Sequence, residues 1–340
     1  MKKKLGLLLS IVMMVGLLAA CGNNTTNSSS NAGTNTDKKD LKVALVIAEQ
    51  IGVNPFFELM EEGIEKAGKD FNVETNVVES TDAVAFEQNF RTLVAEGYDL
   101  IITASFTGED VLRKIAAENP ELPLAIIDHV VDLPNVRSVA FIENEASFLL
   151  GAAAGLITES NVVGNVVAVE GELMDKYTIG FAKGLAHTNP EAKVITNYVG
   201  SFTDAAKAKE LAITQNAQGA DFIAGMSAVG DFGVFEAAAE KGFFASGQDV
   251  DRTVIDPEHV ILSQLKGVDA VAYDTVKQFV EGTFEYGAAY YGLADGGVGL
   301  THVTHESVSA LNPALTAEDI ETLKQIAEDI KNGTIDTSVK

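Results

Sequence analysis

From residue 41 onward the chain alternates between two patterns of apolar positions. Short apolar runs bounded by polar residues predict buried strands, and each is followed by a stretch with apolar residues three or four apart, which predicts an amphipathic helix. The predicted strands cover 41–48, 73–80, 99–105, 122–128, 136–142, 161–170, 193–200, 221–226, 243–249 and 259–265. The predicted helices cover 55–70, 82–97, a stretch from about 108, 144–158, a stretch from about 175, 204–218, 231–241, 268–281 and 316–331. Such alternation predicts parallel sheets with helices on both faces, and because the pattern runs twice we expect two similar α/β lobes.

This architecture predicts where a ligand binds, because ligands of parallel sheets lie beyond the carboxyl ends of the strands. The segments that should meet there are 49–56, 105–108, 128, 170–177, 200–204, 227–231 and 247–251.

The first 40 residues have a different character from the rest of the chain. Three lysines precede a short apolar run, which predicts a signal peptide over residues 1–20. The sequence Leu-Ala-Ala-Cys, ending at Cys21, resembles the bacterial lipobox and predicts lipidation of Cys21; the alternative is an ordinary secretory signal with a stray cysteine. Residues 21–40 are rich in Asn, Thr and Ser, and we expect a flexible tether there.

The composition argues against nucleic-acid binding and gives little sign of catalysis. The formal net charge is -25, which repels polyanions. His302 and His305 lie three residues apart, but no Cys or carboxylate cluster accompanies them, so we expect a surface pair and not a metal site. The segment "GGVGL" (296–300) is read as a turn, and phosphate-loop and nucleophile-elbow motifs are absent. We therefore predict a protein that is not an enzyme and needs no cofactor.

Two adjacent rings at the first helix pose a question about their roles. Asn54 and Pro55 mark the helix start, as cap and first helical residue, and Phe56 and Phe57 follow in the first turn. Neighbouring helical side chains point about 100° apart, so one core face does not easily take both rings. One ring should face the core, and the other should face what lies above the strand.

A second group of candidates lies in the second half of the chain. Phe202 follows a predicted strand just before a helix, and Asp249 and Asp251 follow another strand. Carboxylates accept paired hydrogen bonds from vicinal hydroxyls, and rings from two lobes could sandwich a flat ligand. Equally, Phe202 could be a core plug, and the two aspartates could cap a loop.

An ordered set of motifs resembles a known family. The motifs are "ENEASFLLGAAAGLIT", "YTIGFAKGL", "YVGSFTDAAKAKELA", "VGDFGVFEAAAEKG", "GQDVDR", "LSQLKGVDAVAYD" and "GGVGL". Over residues 41–332 the chain resembles the basic membrane protein family of lipoproteins, of the purine nucleoside receptor A type. The resemblance implies a type I periplasmic-binding-protein fold with a hinge that the chain crosses three times. It divides the chain into a first lobe of 41–142 plus 264–298 and a second of 143–263 plus 299–340.

Site residues follow from the resemblance. Phe56 and Phe202 match the two base-stacking phenylalanines, Asp128 matches an acid near the ligand, and Asp249 or Asp251 matches the acid that takes ribose hydroxyls. Lys266 matches a basic residue at the site, although it could also be a helix-start lysine that faces solvent.

The chain departs from the family pattern around the first strand. Glu49 ends that strand where the family has Asp, and Asn54 lies in a segment where the family commonly reads Asp-Lys-Ser-Phe-Asn. Glu49 and Asn54 are therefore candidate ligand-binding residues, and the resemblance leaves the identity of the ligand open.

Three functions fit these observations. The first is a monomeric, lipid-anchored extracytoplasmic protein that passes a purine nucleoside to an ABC permease and ATPase. The second is a receptor for a sugar or another small metabolite on the same fold, which could serve a chemoreceptor. The third is a surface interaction lipoprotein with a vestigial cleft.

Overall fold

The computed structural model describes residues 41–52 and 54–339, so the predicted signal peptide, the predicted lipidation site Cys21 and the predicted tether lie outside the described residues. The strands of this part are β1 (Lys42–Ile47), β2 (Glu74–Glu79), β3 (Leu100–Ala104), β4 (Leu124–Ile127), β5 (Val136–Phe141), β6 (Val162–Val167), β7 (Lys193–Tyr198), β8 (Phe222–Met226), β9 (Phe244–Asp249), β10 (Val260–Lys266), β11 (Gly287–Tyr291) and β12 (Val298–Leu300). The helices are α1 (Pro55–Phe71), α2 (Ala83–Ala95), α3 (Glu109–Glu118), α4 (Glu143–Ile157), α5 (Glu172–Thr188), α6 (Ala205–Ala217), α7 (Asp231–Lys241), α8 (Val268–Glu281) and α9 (Ala317–Lys331).

The strands form two six-stranded sheets, which confirms the predicted fold class. The first sheet has the order β11-β5-β4-β3-β1-β2, and the second has the order β12-β10-β9-β8-β6-β7. Every pairing is parallel except that of β10 with β12, which is antiparallel. We call each sheet with its packed helices a lobe: α1, α2, α3 and α8 accompany the first sheet, and the remaining helices accompany the second.

The chain changes sheets after β5, after β10 and between β11 and β12. Because β10 runs to Lys266 in the second sheet, the change lies about two residues later than the predicted boundary at 264. The sequence did not predict β11, whose "GAAYY" lacks a continuous apolar run at the sheet edge. The segment "GGVGL" is only partly a turn, because its last three residues form β12 against β10.

Side-chain caps lie at three of the helix starts that the sequence predicted, and the cap at Asn54 confirms the predicted start signal. The Asn54 side chain accepts a hydrogen bond from the backbone N–H of Phe56, and Pro55 begins α1. Asp82 accepts from two backbone N–H groups at the start of α2. A full capping box joins Thr316 and Asp319 before α9. Each cap pairs backbone groups that the first helical turn leaves free.

Helices α4 and α5 approach closely because glycines line their contact. A Cβ atom at Gly151 would overlap the backbone carbonyl of Phe181, and one at Gly184 would overlap the backbone carbonyl of Phe148. Gly180 similarly faces the backbone of Asn144. The close packing fixes α5, whose first turns face the space between the lobes, relative to α4.

Within the described residues, none of the helices combines the length and the apolar character needed to span a bilayer.

Candidate functional site

A cavity lies where the strand ends of the two lobes face each other. Its volume is about 90 Å³, and it continues into a neighbouring cavity of about 510 Å³ that shares Phe106, Asp128, Leu173, Met174 and Phe202 with it. The inner cavity is lined by Glu49, Asn54, Phe56, Phe57, Ser105, Phe106, Thr107, Asp128, Leu173, Met174, Tyr177, Phe202, Ala228, Gln248, Asp249 and Lys266. Ligand pockets commonly measure about 300–1,000 Å³, so the inner cavity alone is small for a metabolite.

Four strand-end residues around this cavity adopt left-handed backbone conformations. Ser105 and Asp128 follow β3 and β4 with φ angles of 64° and 68°, and Ala228 and Asp249 lie after β8 and at the end of β9 with φ angles of 54° and 69°. None is glycine, so each conformation carries backbone strain, which proteins concentrate at functional sites. The two lobes thus contribute equivalent sharp turns to one cavity.

A buried lysine joins the two lobes at the cavity wall. The Lys266 Nζ atom donates to Asp128 Oδ1 at 2.9 Å and lies 3.2 Å from Glu143 Oε1. The Lys176 Nζ atom lies 2.8 Å from Glu143 Oε2 and donates to the backbone oxygen of Phe141. Because Lys266 ends a second-lobe strand and Asp128 follows a first-lobe strand, their ion pair crosses between the lobes.

Burial and charge pull the ionisable groups of this network in opposite directions. Burial raises the pKa of Asp128 to about 7 even though Lys266 opposes the shift. Burial also acts on Glu143, but Lys266 and Lys176 outweigh it and lower the pKa of that carboxyl. Burial likewise disfavours the charge of Lys266, but its carboxylate neighbours raise its pKa well above the usual range. The lysine is therefore charged at neutral pH.

Aromatic rings form part of the cavity wall and also surround the lysine. The Lys266 Nζ atom lies 5.2–5.6 Å from the ring centroids of Phe56, Phe141 and Tyr177, within range of cation–π attraction. The centroids of Phe56 and Phe57 are 5.1 Å apart with an edge-to-face arrangement.

The expected division between one core ring and one ligand-facing ring is not clear-cut. Both Phe56 and Phe57 line the cavity and both belong to the hydrophobic core, with exposed fractions of 8% and 3%. Each of the two rings therefore belongs both to the cavity wall and to the core. Phe202 lines the cavity from the other lobe and packs against the core only in part.

Comparison with protein families decides what kind of protein carries this cavity. A family model described as "ABC transporter substrate-binding protein PnrA-like" matches residues 40–339. The chain belongs to this family. It is thus an extracytoplasmic substrate-binding protein of an ABC transporter, a role that implies a small-molecule ligand and partners of the permease and ATPase kind.

Individual relatives are similar to this chain over most of its length, and a solved structure shares its fold. The "ABC transporter nucleoside-binding protein BmpA" of Lactococcus lactis subsp. cremoris is 29% identical over 345 residues, covering 93% of this chain and 97% of its own. The "CD4+ T-cell-stimulating antigen" of Listeria innocua is 29% identical over 326 residues, covering 88% and 90%. A solute-binding protein of an ABC transporter system from Aeropyrum pernix K1 superposes with a TM-score of 0.74 at 24% identity, covering 87% and 92%.

The structure brings together most of the residues that the sequence proposed for this PnrA-like protein. Seven of them line the inner cavity: Glu49, Asn54, Phe56, Asp128, Phe202, Asp249 and Lys266. Lys266 does not face solvent at a helix start, because it ends β10 and is buried.

Asp251 is the exception among the proposed residues. It lies outside the cavity lining, and its carboxylate accepts hydrogen bonds from Thr253 and from Ser307 Oγ. Those bonds tie the loop after β9 to the loop after β12, so the structure favours Asp249 over Asp251 as the acid at the cavity.

Some site residues had no individual role in the sequence analysis. Glu143, which anchors both lysines, lies outside every segment expected at the strand ends, because it begins α4 after a change of sheet. Tyr177 and Gln248 lay within expected segments, but their burial and direction depend on packing between distant parts of the chain. His302 and His305 line a different cavity, and no group of three or more side chains that could hold a metal ion occurs among the described residues.

Proposed function

We propose that this protein binds a nucleoside in the inner cavity together with the neighbouring cavity into which it continues, and that it delivers the nucleoside to an ABC importer. The observation that carries this proposal is the composition of one cavity wall: aromatic rings from both lobes, with buried carboxylate and amide acceptors beside them. Flat rings stack on aromatic side chains, and ribose hydroxyls donate to acceptors. The nucleoside-binding BmpA relative supports the same ligand class.

We propose that Phe56 and Phe202 stack on the base from opposite lobes and that Asp249 accepts from the ribose. The ion pair of Asp128 and Lys266 would fix the position of one lobe relative to the other. The polar groups of Glu49 and Asn54 would face the ligand. Asn54 supports this role because its Oδ1 atom serves the helix cap, which leaves its Nδ2 atom to donate.

We also propose that the protein is a monomer attached to the membrane by lipid on Cys21. The support is the motif that ends at Cys21, the polar tether after it, and the transporter family of the folded part. The protein would then hold its cleft near the permease on the outer face of the cell membrane.

A calorimetric screen tests the ligand. Purine and pyrimidine nucleosides, the free bases, the corresponding 5′-nucleotides and simple sugars are titrated into purified protein. We expect saturable binding of at least one nucleoside and weaker binding of its nucleotide, because phosphate adds negative charge to a protein of net charge -25. Binding of a sugar with failure of every nucleoside would replace this proposal with the metabolite receptor.

A further inference from the structure

The end of strand β9 carries a buried acceptor that the protein itself leaves without a partner. Gln248 is 7% exposed, lines the inner cavity, and its Oε1 atom makes no hydrogen bond within the described residues. Buried polar atoms in native proteins nearly always have partners, so an unpaired acceptor in a cavity wall points to a ligand that donates.

The orientation of the Gln248 amide is set by its neighbour Asp249. Burial raises the pKa of Asp249, and Lys266, Arg252 and hydrogen bonding from the Gln248 side chain oppose that shift. An amide donates only through its NH₂ group, so the hydrogen bond to the Asp249 carboxyl comes from Nε2 and not from Oε1. The carbonyl oxygen, Oε1, is then the atom left for a ligand.

Consecutive strand residues normally point to opposite faces of a sheet, yet Gln248 and Asp249 line one cavity. Asp249 has a φ angle of 69°, in the left-handed region, which ends the extended geometry of β9. The strained turn therefore brings two adjacent acceptors to the same side, an amide oxygen and a carboxylate.

We infer that Gln248 and Asp249 together read a vicinal diol, with Gln248 accepting from one ribose hydroxyl and Asp249 from the other. The inference rests on the proposed function and deepens it: the site selects ribonucleosides over deoxyribonucleosides, and Gln248 is a specificity-determining residue. Two neighbouring acceptors fit two neighbouring O–H donors, whereas a deoxyribose leaves one buried acceptor unpaired.

The test compares hydroxyl groups and side chains in one cycle. We titrate inosine, 2′-deoxyinosine and 3′-deoxyinosine into the wild-type protein and into the Gln248→Met variant. Guanosine and its two deoxy analogues form a parallel set. Methionine has a shape similar to that of glutamine but lacks the acceptor oxygen. In the wild type we expect each missing hydroxyl to weaken binding about tenfold or more. In Gln248→Met, one of the two deoxy analogues should bind as tightly as the ribonucleoside. The other should still bind more weakly, because it lacks the hydroxyl that Asp249 accepts from.

Gln215→Met is the matched control. Gln215 is a fully buried glutamine of the same lobe whose Oε1 atom is also unpaired, but it lies outside the cavity lining. Its replacement should leave both deoxy penalties at their wild-type values. Gln248→Asn, which shortens the side chain and retains the amide, provides a second variant if the methionine variant does not fold, and it should also reduce one penalty.

Two results separate the inference from the function on which it rests. If nucleosides bind and folded Gln248 variants keep both penalties unchanged, the diol assignment is wrong and nucleoside binding stands. If no nucleoside binds the wild-type protein, the proposed function is wrong and the inference falls with it.

Discussion

Single aromatic residues at the cavity combine packing and recognition. Phe202 is only partly buried and lines the cavity, whereas Phe57 is almost fully buried in the core and Phe56 lies between the two situations. Their positions predict different effects of substitution. Loss of a ring that stacks on the ligand lowers ligand affinity, whereas loss of a ring that fills the core lowers the free energy of unfolding.

Alanine substitutions of these three rings should separate the two contributions. Phe202→Ala should weaken nucleoside binding about tenfold to a hundredfold, at ~1–3 kcal/mol of stacking, with little change in Tm. Phe57→Ala should lower the free energy of unfolding by ~3–5 kcal/mol as a core deletion. Phe56→Ala should weaken nucleoside binding and also lower the free energy of unfolding, each by a smaller amount. Calorimetry and melting curves on the ligand-free proteins measure these effects, and normal binding by folded Phe56→Ala would rule out its stacking role.

Asp231 begins α7 with a carboxyl group that the interior holds partly protonated. Its Oδ1 atom accepts from the backbone N–H and the hydroxyl of Ser227, and its buried Oδ2 atom has no partner among the described residues. Burial raises its pKa to about 7, against the opposing effect of the Ser227 hydrogen bonds. A raised carboxyl pKa favours folding while the proton stays bound, and that contribution is lost as pH rises through 7.

We expect Asp231→Asn to reduce the loss of stability between pH 5 and pH 8. The wild type should lose roughly 2–3 kcal/mol more than the variant over this interval, from the difference between a folded pKa near 7 and the usual value. Urea denaturation at both pH values measures it. Asp82→Asn should leave the loss of stability between pH 5 and pH 8 as it is in the wild type, because Asp82 has a lowered pKa and titrates at more acidic pH. Equal losses in the wild type and Asp231→Asn would contradict the assignment.

Among the elements, α4 and α5 connect the packing of the second lobe to the site. Glu143 begins α4, and Lys176 and Tyr177 lie in the first turns of α5. Glycines at the contact let the two backbones approach, so the ion pair between Glu143 and Lys176 depends on a helix separation that larger residues would not allow.

Gly184→Ala should destabilise the protein although alanine is the better helix former. Helix propensity alone would favour the change by ~0.5–1 kcal/mol, but the added methyl group would meet the backbone of Phe148, and such overpacking costs ~1–3 kcal/mol. Chemical denaturation should therefore show a net loss of stability. Ala182→Gly, on the same helix, is the reference for propensity and should cost ~0.5–1 kcal/mol. A stabilised Gly184→Ala protein would mean that the helices can separate freely.

For the whole molecule, the proposed lipid anchor and the net charge bear on where the protein works. The sequence predicts lipid on Cys21 and a polar tether between Cys21 and β1, which begins at Lys42. A net charge of -25 disfavours polyanionic partners, and the proposed attachment to the membrane is the lipid on Cys21.

Cys21→Ala should release the mature protein from the membrane. Without the thiol no lipid can be attached, and we expect the variant in the soluble fraction or the medium when cells are fractionated and blotted. Ser28→Ala, a change within the tether that leaves the motif intact, is the control and should remain with the membrane. A Cys21→Ala protein that sediments with the membrane would show that another contact holds it there.

The sequence by itself determined the fold class, most element positions and the strand-end segments that contain the site. These features follow from local information: the period of apolar residues, the cap residues, and the rule that parallel strands end at one edge. The weaker predictions were local too, since β11 has too few large apolar residues to stand out and the glycines of "GGVGL" concealed β12.

The tertiary structure alone decided which side chains meet and in what state of charge. Lys266 and Asp128 are 138 residues apart in sequence, yet they form an ion pair at 2.9 Å, and Glu143 joins them from a third segment. The left-handed turn at Asp249 places Gln248 beside it in the cavity. Such contacts depend on strand order, on backbone strain and on burial, and burial also sets the pKa values. These are properties of the packed chain as a whole, so no local pattern in the sequence encodes them.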